Sequence, residues 1–178
     1  MGYIITHRGI KVNPNQISAI ERLKSLSNPK KVQVLTSILV ALNRFISKFA
    51  DRCRPFYLLL KKWKGFQWTE CEEAFQDLKK YLVRAPILLA LETGKDLFIY
   101  LSVSKHAVSV VLLRDQGIQH PIYYISKTLV DAETRYLPLE KLALALMHAT
   151  RKLPHYFQAH TIYVLTEYQL HHYSFLNS

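Results

Sequence analysis

Between positions 30 and 64 stand nine basic side chains suited to binding phosphate: Lys30, Lys31, Arg44, Lys48, Arg52, Arg54, Lys61, Lys62 and Lys64. Each ammonium or guanidinium can displace counterions from a nucleic-acid backbone, the source of most non-specific affinity. Taken singly, each also suits a solvated helix surface. The whole chain carries 24 Lys+Arg against 13 Asp+Glu, net +11. Residues 1–64 hold 13 of those bases against Glu21 and Asp51 alone, whereas residues 65–178 hold 11 of each sign. An acidic protein or an anionic membrane surface fits that charge alone equally well.

The other reactive residue types form weaker patterns. Trp63, Phe66 and Trp68 adjoin the basic run and could stack on bases, but they fit better as anchors holding a linker to a core. His155 and His160 are five apart and His171-His172 are adjacent. No Cys-x-x-Cys pair completes a zinc set, so no metal is expected there. Cys53 and Cys71 make neither a disulfide framework nor a nucleophile setting. They fit a reducing intracellular compartment, cytoplasmic or nuclear rather than secretory. The five glycines contain no G-x-G, which argues against a phosphate-cradling loop. Residues 1–5 lack a signal peptide's pattern, His7 breaks the myristoylation pattern, and no apolar run nears the roughly 18–20 residues of a membrane span. No membrane partner is expected.

With 49% apolar and 12% aromatic residues, the chain can bury a core. Residues 3–12 read as a hairpin. Asn13-Pro14 and Asn28-Pro29 each pair a capping side chain with proline at the first helical position, so helices are expected from 14 and from 29 to about 42. A third helical segment, 44–62, is expected to break near Pro55. Thr69 and Glu72 form a capping box for a helix over 70–83, with Ala74, Phe75, Leu78, Tyr81 and Leu82 inward. Apolar strands follow at 97–103, 108–113, 121–126 and 161–166, with a helix over 138–152 before the last. The order β-β-β-α-β predicts a helix lying on a mixed sheet.

These elements carry a family's motifs in order: Gly2-Tyr3-Ile4-Ile5 with Arg8-Gly9-Ile10 and Asn13-Pro14, Asn43-Arg44-Phe45-Ile46, Pro55-Phe56 with Leu59-Leu60-Lys61-Lys62, and Phe66-Gln67-Trp68-Thr69 before Ala74-Phe75. Pro121 to Ser126, Tyr136, Leu153 with His155-Tyr156-Phe157, and Val164-Leu165-Thr166 complete the series. The chain resembles the C-terminal part of a gypsy-type LTR-retrotransposon reverse transcriptase, closest to plant elements. The resemblance implies the end of the palm and a basic helical thumb over 1–64, and a connection helix and linker over 65–95. Over 96–178 it implies an RNase H-like α/β domain truncated at its C-terminus. It makes residues 1–64 the region that grips template–primer, RNA–DNA hybrid or duplex, without sequence preference.

The family's activities are RNA-directed DNA polymerisation and RNase H cleavage, both using Mg²⁺. Its polymerase turn, Tyr-x-Asp-Asp, would precede Met1, and no two Asp residues are adjacent in this chain. RNase H chemistry needs about four carboxylates around two cations, whose mutual repulsion at ~4 Å is about 16 kcal/mol at an effective dielectric near 20. The resemblance puts the first carboxylate at Ser102, the second at Leu142, the third at Glu167 and the fourth beyond Ser178. One of four therefore keeps an acidic residue. Glu140 does not replace Leu142, because two residues turn a helix by about 200°. The chain is expected to be non-catalytic and to bind no cofactor, acting as a template–primer spacing module of a Pol polyprotein. The alternatives are a co-opted protein-interaction module, a transposon remnant without function, or a residual RNase H.

Overall fold

The computed structural model describes residues 2–23, 26, 28–61, 69–90 and 94–166. Strands β1 (Tyr3–Thr6) and β2 (Gly9–Val12) form the expected antiparallel hairpin. At Gly9, with φ 133°, an added Cβ would fall 2.1 Å from the Leu88 carbonyl oxygen, so only glycine fits. That close approach lets Ile10 and Leu88 exchange backbone hydrogen bonds of 2.8 and 2.9 Å. The two Asn-Pro signals open helices as read. Asn13 Oδ1 accepts from Asn15 N at 3.0 Å before α1 (Pro14–Arg22), and Asn28 Oδ1 accepts from Lys31 N at 2.9 Å before α2 (Pro29–Leu42).

The third segment departs from expectation. A 3₁₀ turn (Asn43–Phe45) precedes α3 (Phe49–Lys61), and Pro55 lies inside that helix without ending it. Ala50, Cys53, Phe56 and Leu59 are buried along one face of α3, and their packing outweighs a proline cost of about 3 kcal/mol. The break comes earlier, at Lys48, whose φ of 51° is the left-handed conformation. Helix α4 (Thr69–Val83) buries Cys71, Phe75, Leu78 and Leu82, with Ala74 and Tyr81 half-buried. The proposed cap, the Thr69 side chain, lies outside the described residues, as do Trp63, Phe66 and Trp68. Helices α1–α4, the hairpin and Leu88 share one core, in which Phe56 and Phe75 meet edge to face at 6.3 Å.

The second half is the expected mixed sheet. Strands β3 (Leu97–Val103), β4 (Ala107–Asp115), β5 (Gln119–Thr128) and β6 (Ile162–Leu165) stand in the order β5-β4-β3-β6, with β3 and β6 parallel. Between β5 and β6 come the short α5 (Asp131–Thr134), the long α6 (Pro138–Lys152) and the short α7 (Pro154–Ala159). The two short helices lack the apolar repeat that marked α6. Leu142, Ala145, Ala149 and Leu153 join Leu97, Ile99, Leu101, Val110 and Leu112 in a second core. The chain is thus helices followed by a helix-covered mixed sheet, an α+β fold. Among the described residues no helix is long and apolar enough to cross a membrane.

The halves meet where α3 abuts the face of the sheet away from α6. Ser126 Oγ accepts from Ala50 N at 3.1 Å and lies 3.0 Å from Ser109 Oγ. Ser104 Oγ donates to Asp51 Oδ1 at 2.8 Å. A sheet hydroxyl thus satisfies a first-turn N–H of a helix far away in sequence, which helix ends require. Ser126→Ala should lower stability by about 1 kcal/mol, the usual value of an N-cap, in urea denaturation of the whole chain. Unchanged stability would mean that water serves Ala50 equally well.

Candidate nucleic-acid interface

Of the nine candidate cations, seven are described, and they do different things. Lys30 and Lys31 are exposed in the first turn of α2, Lys48 is exposed just before α3, and Lys61 is exposed at its end. Arg54 is half-buried. Lys30, Lys48, Arg54 and Lys61 have no ion-pair partner among the described residues. Helix α3 has 13 residues, so its two ends lie about 20 Å apart, the reach of several phosphates along one strand. Lys62 and Lys64 lie outside the described residues.

Two arginines are held by aromatic rings, which charge counting does not reveal. The Arg44 guanidinium lies 5.5 Å from the Tyr3 ring centroid and 4.6 Å from that of Tyr123, tying the hairpin to the sheet. Its Nε is buried without a hydrogen-bond partner. Arg52 stacks on Tyr81 at 4.5 Å and donates from Nε to Ser47 O at 3.0 Å. Tyr81 Oη accepts from Ser47 N and donates to Phe45 O, both at 3.0 Å, and so fixes the turn that carries Lys48. These side chains hold the basic surface in place, and the signal was the paired tyrosines, not the charge.

Ser102 and Leu142, two of the positions where the resemblance implies carboxylates, lie in the sheet half. Ser102 pairs with Ser109 across β3 and β4. Strand alternation directs it to the face on which Ser109 and Ser126 meet α3. Leu142 is 4% exposed and sits in the apolar cluster on the opposite face. Glu140 is exposed and its Oε2 accepts from Leu137 N at 2.8 Å, so it caps α6 and turns away from the sheet. Glu167 lies outside the described residues. A hydroxyl and a buried alkyl group supply no anionic oxygen, so these two positions do not fit Mg²⁺. Among the described residues, no three His, Cys, Asp or Glu side chains gather as a metal set.

The remaining reactive groups have structural surroundings. Burial pushes the Cys53 thiol up to about 12 against the lesser pull of Arg52, leaving it unreactive at neutral pH. Buried Cys71 lies 3.8 Å from Pro55 O. His160 Nδ1 contacts Lys95 O at 3.0 Å, and His155 is exposed. Glu133 is ion-paired with Lys127 and also accepts from Val130 N at 3.0 Å. The Lys127 bond, then the Val130 bond, holds its carboxyl below the ordinary range. A depressed carboxylate contributes stability above its unfolded value, near 4.3, and loses it as pH falls through its folded value. Glu133→Gln should therefore melt below the parent at pH 7, with the gap closing under about pH 4. A gap that persisted in acid would assign the effect to packing.

The RNase H-like domain found in reverse transcriptase matches residues 68–164 of the 178, and the chain belongs to that family. The retrovirus-related Pol polyprotein from transposon 297 of Drosophila melanogaster is 31% identical over 171 residues, covering 95% of this chain and 16% of that relative. The transposon Tf2-3 polyprotein of Schizosaccharomyces pombe is 26% identical over 162 residues, 89% of this chain and 12% of its own length. The chain thus spans less than a fifth of the curated relatives it matches. In structure it resembles the foamy viral protease-reverse transcriptase in complex with RNA/DNA hybrid, with a TM-score of 0.80 at 21% identity over 96% of this chain and 24% of that one. A second foamy viral protease-reverse transcriptase, in complex with double-stranded DNA, gives 0.78 at 22% identity over 94% of this chain and 30% of that one.

Proposed function

We propose that this chain is a non-catalytic section of a Pol polyprotein, of the gypsy type and closest to plant elements, that grips template–primer and sets its spacing. The grip occupies the basic helices over 1–64 and the spacing falls to the RNase H-like sheet. The observation that carries this reading is the set of cations without ion-pair partners among the described residues, Lys30 on α2, Lys48 just before α3, and Arg54 and Lys61 on α3, a helix hydrogen-bonded to that sheet. Structural relatives solved with double-stranded DNA and with RNA/DNA hybrid support the choice of ligand. The neutral side chains at Ser102 and Leu142 support the absence of cutting. The test is filter binding of the purified chain to duplex, hybrid and single-stranded probes across a salt series. Six or more phosphate contacts predict a loss of roughly 10³ in affinity between 50 and 200 mM salt. Affinity independent of salt, or Mg²⁺-dependent cleavage of hybrid that Glu167→Gln abolishes, would overturn the proposal.

A further inference from the structure

One feature not used by the proposed grip lies at the junction of the two halves. A cavity of about 320 Å³ opens between the 3₁₀ turn, α3, β5 and α6, and its lining includes Asn43, Phe49, Tyr123, Lys127, His148 and Lys152. Every polar side chain in the lining carries a donor: an amide, two phenols, a hydroxyl, two ammonium groups and an imidazole. Arg151 and Lys152 stand exposed in the last turn of α6. The nearby carboxylate, Glu133, is already bonded to Lys127 and Val130 N. Three cations against one carboxylate and about half a unit of negative helix-end charge leave the pocket positive. The Tyr123 wall is backed by Arg44, whose buried Nε has no hydrogen-bond partner.

We propose that this junction pocket binds a phosphate group, held by Lys152 and Lys127 with Asn43 and His148 as neutral donors. The group is either a nucleic-acid phosphodiester or free inorganic phosphate. In the first case the pocket extends the proposed template–primer grip and rests on that reading. In the second it stands alone. His148 can report on an anion bound beside it. Burial first, then Lys152, Lys127 and Arg151, hold its imidazole below the ordinary histidine value, against a smaller opposing pull from Glu133. A bound anion would offset those cations and move His148 upward, so the imidazole is a built-in reporter.

The experiment follows the His148 ring signals of the whole chain by NMR at pH 7. The additions are inorganic phosphate, acetate at equal ionic strength, or a short DNA duplex. Saturable shifts with phosphate but not acetate are expected. Lys152→Glu should weaken that response about tenfold, since reversal changes the anion's Coulomb energy by two unit interactions at near-water dielectric. Lys152 is exposed, so this variant should fold, and Lys30→Gln/Lys61→Gln should leave the phosphate response intact. Shifts with duplex as well assign the group to nucleic acid. Shifts with phosphate alone assign it to the free ion, and if duplex fails to bind at all, the grip falls while the pocket stands. No phosphate shift, or one equal for acetate or in Lys152→Glu, overturns the pocket even if duplex binds elsewhere.

Discussion

Leu142→Glu, which would put a carboxylate where the resemblance places the second family acid, is expected to lower the stability of the chain by about 5–7 kcal/mol at pH 7. Two contributions make up that figure. Replacing a leucine that is 4% exposed forfeits roughly 1.5–3 kcal/mol of apolar burial. The new carboxyl has no cationic partner in the cluster of Ala145, Ala149, Leu101 and Val110, so it stays neutral instead of ionising. Holding a glutamic acid neutral at pH 7 costs about 3–4 kcal/mol, which sets the charge contribution. The loss should shrink toward the apolar part alone near pH 4, because the unfolded chain then also carries the acid protonated. Urea denaturation at both pH values reads the difference. A glutamate tolerated at pH 7 would mean that this position opens to water and could hold a metal-binding carboxylate, which would reopen the question of RNase H activity.

Local chemistry made half of this fold legible. Asn13-Pro14 and Asn28-Pro29 act within one turn of helix, so their meaning does not depend on the rest of the chain. The leucines of α6 and the β-branched runs of β3 and β4 likewise declare their periods in sequence. Pro55 misled because its cost is local while the compensation is not: Cys53 and Phe56 repay it by packing within the helical core. The true break at Lys48 has no glycine to announce it, and a tyrosine 33 residues later, Tyr81, holds it in place. The candidate site shows the same division. That residues 30–64 are basic is plain from composition, but that Arg44 is spent between Tyr3 and Tyr123 requires the hairpin, the turn and β5 together. Ser126 capping α3 spans 76 residues and leaves no trace in any local pattern.

Neutralising Lys30, Lys48 and Lys61 together should weaken duplex binding by roughly 10²–10³ near 100 mM salt and make the remaining affinity less sensitive to salt. The reasoning starts from counterion release: each phosphate neutralised adds about 0.9 to the slope of log affinity against log salt, so three glutamines should flatten it by about 2.7. These three are chosen because all are exposed and none makes an ion pair among the described residues, so replacement by glutamine should leave the fold intact. Arg44 and Arg52 make the informative contrast. Arg44→Gln removes the same charge but also a guanidinium packed on two tyrosines, so it should cost stability first and binding second. Comparing slopes separates the two roles, because a cation that touches phosphate changes the salt dependence, whereas one that only holds the turn changes affinity through the folded fraction. Equal slopes for the parent and the triple variant would take phosphate contact away from Lys30, Lys48 and Lys61 and leave the basic half of the chain without its proposed ligand.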